Sequence, residues 1–83
     1  MTDEDIFAVI RAQLLDVLPE AADVEITLDH SMRELGANSI DRMDIVIAAQ
    51  DELGIKVPNA DLTRANDLRS LVAVFREHAN APA

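Results

Sequence analysis

Apolar residues return every three or four positions at the start of the chain: Ile6, Phe7, Ile10, Leu14, Val17 and Leu18 share one side of a 3.6-residue helix. Thr2 followed three residues later by Asp5 has the form of a capping box, and Pro19 stops the helix. From Glu20 to Asn38 the period is lost, but Ile26, Leu28 and Leu35 are spaced to pin a long loop onto a core. Ser31 and Glu34 predict one helical turn inside that loop, ended by Gly36. So long a loop in so short a chain is more often functional or anchored than idle.

A second helix is predicted from Ser39 or Ile40 to Leu53, with Met43, Val46, Ile47, Ala49, Gln50 and Leu53 spread over more than one face. Gly54 and Pro58 bracket its end, and Ile55 and Val57 alternate around Lys56 as in a short extended connector. A brief turn follows around Ala60 to Arg64. Asn66 or Asp67 then caps a last helix whose buried stripe is Leu68, Leu71, Val72 and Phe75. The fold class is all-α: three long helices and one short helix with a long first loop. Residues 1–83 form a single domain, with its core over about 2–79 and a frayed tail at 80–83.

Size and composition narrow the chemistry. Eighty-three residues sit just above the length at which one apolar core needs disulfides or a metal, and they leave no room for a cleft between domains. With no cysteine there is neither a disulfide scaffold nor a thiolate metal site, so any thiol must come from an added group. Ile45 to Ala49, the longest nearly apolar stretch, is far short of the roughly 20 residues that span a bilayer, and Met1-Thr2-Asp3-Glu4-Asp5 lacks a basic signal region. A soluble cytoplasmic protein is the expectation.

The net charge of −9 is uneven: residues 1–53 hold 13 acids and 3 bases, residues 54–83 hold 3 and 4. Such a surface repels nucleic acid and anionic lipid and steers encounters with basic patches on other proteins. Phe7 and Phe75 are the only aromatic residues, too few for a base-stacking platform.

The candidate chemistry centres on Leu35-Gly36-Ala37-Asn38-Ser39-Ile40-Asp41-Arg42, where a turn hands over to the second helix. Gly36 suits the end of a turn, Asn38 and Ser39 are both good caps, and Asp41 complements the positive end of the helix dipole. One hydroxyl is thus placed at a helix start, where a phosphate is well received. A serine hydrolase is disfavoured, because no Gly-x-Ser-x-Gly elbow is present. His30 reads as a loop residue and His78 as an exposed position on the last helix, neither with a second His or Cys at metal-ligand spacing. Asp23, Glu25 and Asp29 do not match an EF-hand loop.

This stretch resembles the signature of acyl carrier proteins: Gly, a variable residue, Asp or Asn, then Ser, Leu or Ile, and Asp or Glu. A second likeness lies at Asp51-Glu52-Leu53-Gly54-Ile55-Lys56-Val57-Pro58, which is similar to the family's acidic pair and Ile-x-Val/Ile-Pro connector. The resemblance covers residues from about 2 to 79 and implies the family's four-helix bundle. It implies that Ser39 carries a covalent 4′-phosphopantetheine arm, delivered from coenzyme A by a phosphopantetheinyl transferase with Mg²⁺, and that the chain is a carrier and not an enzyme.

By the same resemblance the second helix docks partner enzymes, with Asn38, Ile40, Asp41, Arg42, Asp44, Ile47 and Asp51 as the contact candidates. From the residues alone Ile47 fits a partner contact and a core position equally well. Three positions depart from the commonest fatty acid carrier pattern: Asn38 stands for Asp, Ile40 for Leu, and Arg42 adds a base. The string Gly36 to Arg42 looks like discrete carriers of polyketide β-branching cassettes. That likeness implies a monomeric donor of an acetyl unit to a hydroxymethylglutaryl (HMG) synthase-like enzyme, with an acyltransferase or ketosynthase among its partners and no nucleic acid or membrane. A general fatty acid or aminoacyl carrier is the second expectation, and a helical adaptor with unmodified Ser39 the third.

Overall fold

Thr2 opens the first helix as its spacing from Asp5 predicts. Its hydroxyl accepts the Asp5 N–H at 3.2 Å, while the Asp5 carboxylate accepts the Thr2 N–H at 3.0 Å. The computed structural model describes residues 2–79, so the expected frayed tail at 80–83 lies outside the described residues. Four α-helices follow one another: α1 (Asp3–Val17), α2 (Ser39–Leu53), the single-turn α3 (Asn59–Leu62) and α4 (Leu68–Ala79). No strand occurs among the described residues, and none of the helices is long and apolar enough to cross a membrane.

α1 is the element around which the others gather, since it packs against both α2 and α4. Ile6, Ile10 and Leu14 from its stripe are fully buried, joined by Ile45 and Ala49 of α2 and Phe75 of α4. Phe7 and Val17 pack at the edge of this core. The stripe expected on α4 is buried throughout, at Leu68, Leu71, Val72 and Phe75. Removing such side chains from water supplies roughly 1.5–3 kcal/mol each, which is what holds so short a chain together.

The first loop is more ordered than its lost periodicity implies. Pro19, which ends α1, also starts a 3₁₀ turn over Pro19–Asp23, because its fixed φ suits a first helical position; Ala21 is buried by it. Ser31 and Glu34 exchange side-chain and backbone hydrogen bonds at 3.0 and 3.1 Å, making the expected turn, and Gly36 closes it at φ 102°. Ile26 is buried and Leu28 and Leu35 are half-buried, as expected, and Met32 joins them in the core. The loop then completes a helix: the carbonyls of His30 and Leu28 accept the N–H groups of Leu68 and Arg69, both at 2.9 Å. Those are donors that α4 cannot satisfy by itself.

Asp67, one of the two expected caps of α4, accepts the Ser70 N–H at 2.8 Å. Its hydrogen bonds from the Ser70 side chain and backbone hold its carboxyl below the usual range. Gly54 ends α2 in the left-handed region, at φ 69°. The Gln50 side chain accepts the Val57 N–H at 2.7 Å and so draws Val57 into the core.

One expectation is corrected here. His78 is not exposed: it is half-buried against α3, with Nε2 2.9 Å from Oδ2 of Asp61. Four residues of α3 offer little apolar surface, and polar ties of this kind hold it in place. The Asp61 carboxylate also meets Arg64, and the hydrogen bonds from His78 and then Arg64 keep it in its charged form below the ordinary range.

Candidate functional site

Ala37 is buried and its N–H bonds to the Met32 carbonyl at 3.0 Å, so the chain is fixed to the core immediately before it surfaces at Asn38. Asn38 is the cap of α2. Its Oδ1 accepts the Asp41 N–H at 2.8 Å, and the Asp41 carboxylate accepts the Asn38 N–H at 3.3 Å. Sequence reasoning left Asn38 and Ser39 as equal candidates for this role, and the capping box settles it for Asn38. Ser39 is the first helical residue, exposed, and none of the hydrogen bonds among the described residues uses its hydroxyl.

The result is a primary alcohol at the positive end of a fifteen-residue helix, presented to solvent beside a capping box that is complete without it. Asp41, two residues along, is turned back onto the cap. The Nη2 of Arg42 donates to the carbonyls of Leu62 at 3.1 Å and Ala65 at 3.4 Å, bracing α2 against the last residue of α3 and the turn after it. No local pattern announces this contact, since its acceptors are backbone atoms 20 and 23 residues away.

Two grooves open beside Ser39. The larger, about 560 Å³, lies between the first loop and the start of α4, with Ser31, Asn66 and Asp67 in its lining. The smaller, about 310 Å³, lies between α2 and α3 and is lined by Met43, Val46 and Leu62. An alcohol flanked by open grooves can accept a bulky phosphodiester without displacing the core, so the residues present fit a covalently tethered arm.

Along α2 the remaining candidates form a row. Ile40, Asp44, Ile47 and Asp51 recur at four, three and four residues, and so share one face. All four are exposed, Ile40 at 72% and Ile47 at 52%. Ile47 is therefore a surface residue, and so is Met43 beside it. α2 buries Ile45, Val46 and Ala49 on its other side, which is why its apolar residues occupied more than one face in the sequence. No group of three His, Cys, Asp or Glu residues among those described is placed to hold a metal ion.

Comparison with known proteins bears directly on this site. A family model described as the phosphopantetheine attachment site matches residues 8–75. The chain is 30% identical over 75 residues to a polyketide biosynthesis acyl-carrier-protein, AcpK, of Bacillus subtilis (strain 168), covering 90% of this chain and 92% of that one. It is 35% identical over 69 residues to an acyl carrier protein of Treponema pallidum (strain Nichols), covering 82% and 83%. Its fold matches a chain in the crystal structure of the curacin biosynthetic pathway HMG synthase in complex with acetyl donor-ACP. The TM-score is 0.83 with 24% identity, over 90% of this chain and 96% of that one.

Proposed function

This chain belongs to the phosphopantetheine attachment-site family of acyl carrier proteins, and we propose that Ser39 is its attachment point. The family's members are carriers, not catalysts, and hold 4′-phosphopantetheine covalently. When bound, that group supplies the thiol on which an acyl unit rides as a thioester, a function this cysteine-free chain cannot perform with its own side chains.

The carrying observation is the unengaged, exposed hydroxyl of Ser39 at the start of a helix whose cap is complete without it. In attachment the Ser39 oxygen forms a bond to the β-phosphorus of coenzyme A, 3′,5′-ADP leaves, and the serine proton passes to a base on the transferase. The serine needs only to be reachable and fixed. The new phosphodiester would sit where the helix dipole and the Arg42 charge favour an anion.

The cargo we infer is an acetyl unit, donated to an HMG synthase-like enzyme in polyketide β-branching within the cytoplasm. Three things support this reading: a relative named for polyketide biosynthesis, a fold shared with an acetyl donor carrier, and the run Gly36 to Arg42. The row of Ile40, Asp44, Ile47 and Asp51 suits a partner groove that is apolar at its floor and basic at its rim. Phosphopantetheinyl transferase, acyltransferase and ketosynthase would approach the same face.

Intact mass after incubation with coenzyme A, Mg²⁺ and a broad-specificity phosphopantetheinyl transferase tests the site. Wild type gains one phosphopantetheinyl unit and Ser39→Ala gains none. A gain in the variant overturns the assignment. Acetyl transfer from the loaded chain to an HMG synthase-like enzyme, in preference to a fatty acid ketosynthase, tests the donor role.

A further inference from the structure

Arg42 stands where the two grooves beside Ser39 meet. It and Ser39 are the residues common to both linings. Its Nη2 donates to one carbonyl on each side, Leu62 in the lining of the smaller groove and Ala65 in the lining of the larger. Leu62 is the last residue of α3 and Ala65 lies in the turn that follows it, so the guanidinium ties both the helix and its exit turn to α2 through charge-assisted bonds. Among the described residues, no other side chain hydrogen-bonds from α2 to the end of α3.

The smaller groove is the apolar way inward. Val46 and Leu62 at its floor are core residues, and Met43 is half-exposed at its rim. Widening it means moving α3 away from α2, and Arg42 resists that movement. We propose that Arg42 is a specificity-determining residue: by tying α3 to α2 beside the attachment point, it keeps the core closed to a long acyl chain and suits the carrier to short cargo held outside.

This rests on the reading of Ser39 as the attachment point. An acetyl group has little apolar surface to bury, so closure costs it almost nothing. Each further methylene stands to gain by burial in the core, and a groove that cannot widen past Val46 and Leu62 denies that gain. The device thus leaves a short thioester equally open to a partner enzyme while barring a long chain from the core between α2 and α3.

The test uses the full chain, loaded by a transferase from acetyl- or octanoyl-coenzyme A, as wild type, Arg42→Met and Arg42→Lys. Met keeps the apolar stem and removes the donors; Lys keeps the charge without the planar fork. Intact mass first records loading, and then the rate at which hydroxylamine cleaves each thioester. In wild type the two thioesters should be cleaved at rates within about twofold of each other, because neither chain is buried. In Arg42→Met octanoyl cleavage should slow by about tenfold, the scale of burying roughly two methylene groups, with acetyl cleavage unchanged.

Amide exchange at Leu62, Thr63 and Ala65 in the arm-free chain should quicken in Arg42→Met, with Arg42→Lys lying between it and wild type. Octanoyl already protected in wild type overturns the proposal. So does an octanoyl-to-acetyl ratio that Arg42→Met leaves unchanged, or amide exchange that Arg42→Met does not alter. A wild-type chain that takes up no arm overturns the Ser39 reading instead, and the exchange measurement still decides whether Arg42 ties α3 to α2.

Discussion

Asn38 and Asp41 close the start of α2 between them, each side chain accepting the other's backbone N–H at 2.8 and 3.3 Å, and Ser39 takes no part in the bond. Ser39→Ala therefore removes an exposed hydroxyl and no cap. The expected change in stability is within about 0.5 kcal/mol, as for other surface substitutions, with complete loss of arm uptake. Thermal unfolding beside intact mass checks both halves. A clear loss of stability would mean that the hydroxyl is part of the fold.

The structural load falls one residue earlier. Asn38→Ala leaves the Asp41 N–H without its partner and should cost about 0.5–2 kcal/mol. In a domain of this size that is a fall in Tm of about 4–8 °C per kcal/mol. Asn38→Asp keeps the acceptor, adds charge at the positive end of α2, and should hold or raise Tm. Urea titration of the three proteins separates these outcomes. Equal midpoints for wild type and Asn38→Ala would show that the capping box contributes nothing.

What could be read from the sequence was what depends on neighbours. The capping boxes at Thr2 and Asp5 and at Ser31 and Glu34, the stop at Gly54, and the stripes of α1 and α4 are all local patterns, and each stands where its spacing puts it. Ser39 at a helix start was legible for the same reason. The ties between distant segments were not. Arg42 reaching the carbonyls of Leu62 and Ala65, His78 meeting Asp61, and the loop carbonyls of Leu28 and His30 receiving α4 depend on partners 17 to 41 residues away. Backbone acceptors carry no side-chain signature at all. Ile47 was ambiguous because α2 has apolar residues on two sides, and only the packing of α1 against one of them decides which side is core.

Asp61 gives the fold an acid limit. Its hydrogen bond from His78, and then that from Arg64, lowers its pKa from the ordinary 3.8 in the folded chain. A carboxyl lowered on folding contributes stability that is present in full above its unfolded value and is lost as pH falls through its folded value. The chain should thus lose stability as pH drops below about 4, where carboxylates protonate. Asp5, held down chiefly by its hydrogen bonds with Thr2, and Asp67, held down by Ser70, act in the same direction. Asp61→Asn should flatten this acid limb. Unfolding midpoints measured from pH 7 to pH 2 check this, and an equally steep limb in Asp61→Asn would remove Asp61 as its source.

The exposed row on α2 separates two contributions to docking that a single substitution would confound. Asp44 is exposed and charged, so Asp44→Lys acts through the field that steers a basic partner. Its penalty on turnover by the phosphopantetheinyl transferase should be several-fold larger at about 0.01 M salt, where the Debye length is near 30 Å, than at 1 M, where it is near 3 Å. Ile47 is 52% exposed and uncharged, so Ile47→Ala acts through contact area alone. Its penalty should be the same at both salt concentrations, and the stability of the free chain should change by no more than about 0.5 kcal/mol. Steady-state kinetics of both variants at the two salt concentrations give the comparison. A penalty for Asp44→Lys that ignores salt would place Asp44 outside the steering surface. One for Ile47→Ala that tracks salt would mean that Ile47 acts by positioning the acids on either side of it and makes no apolar contact of its own.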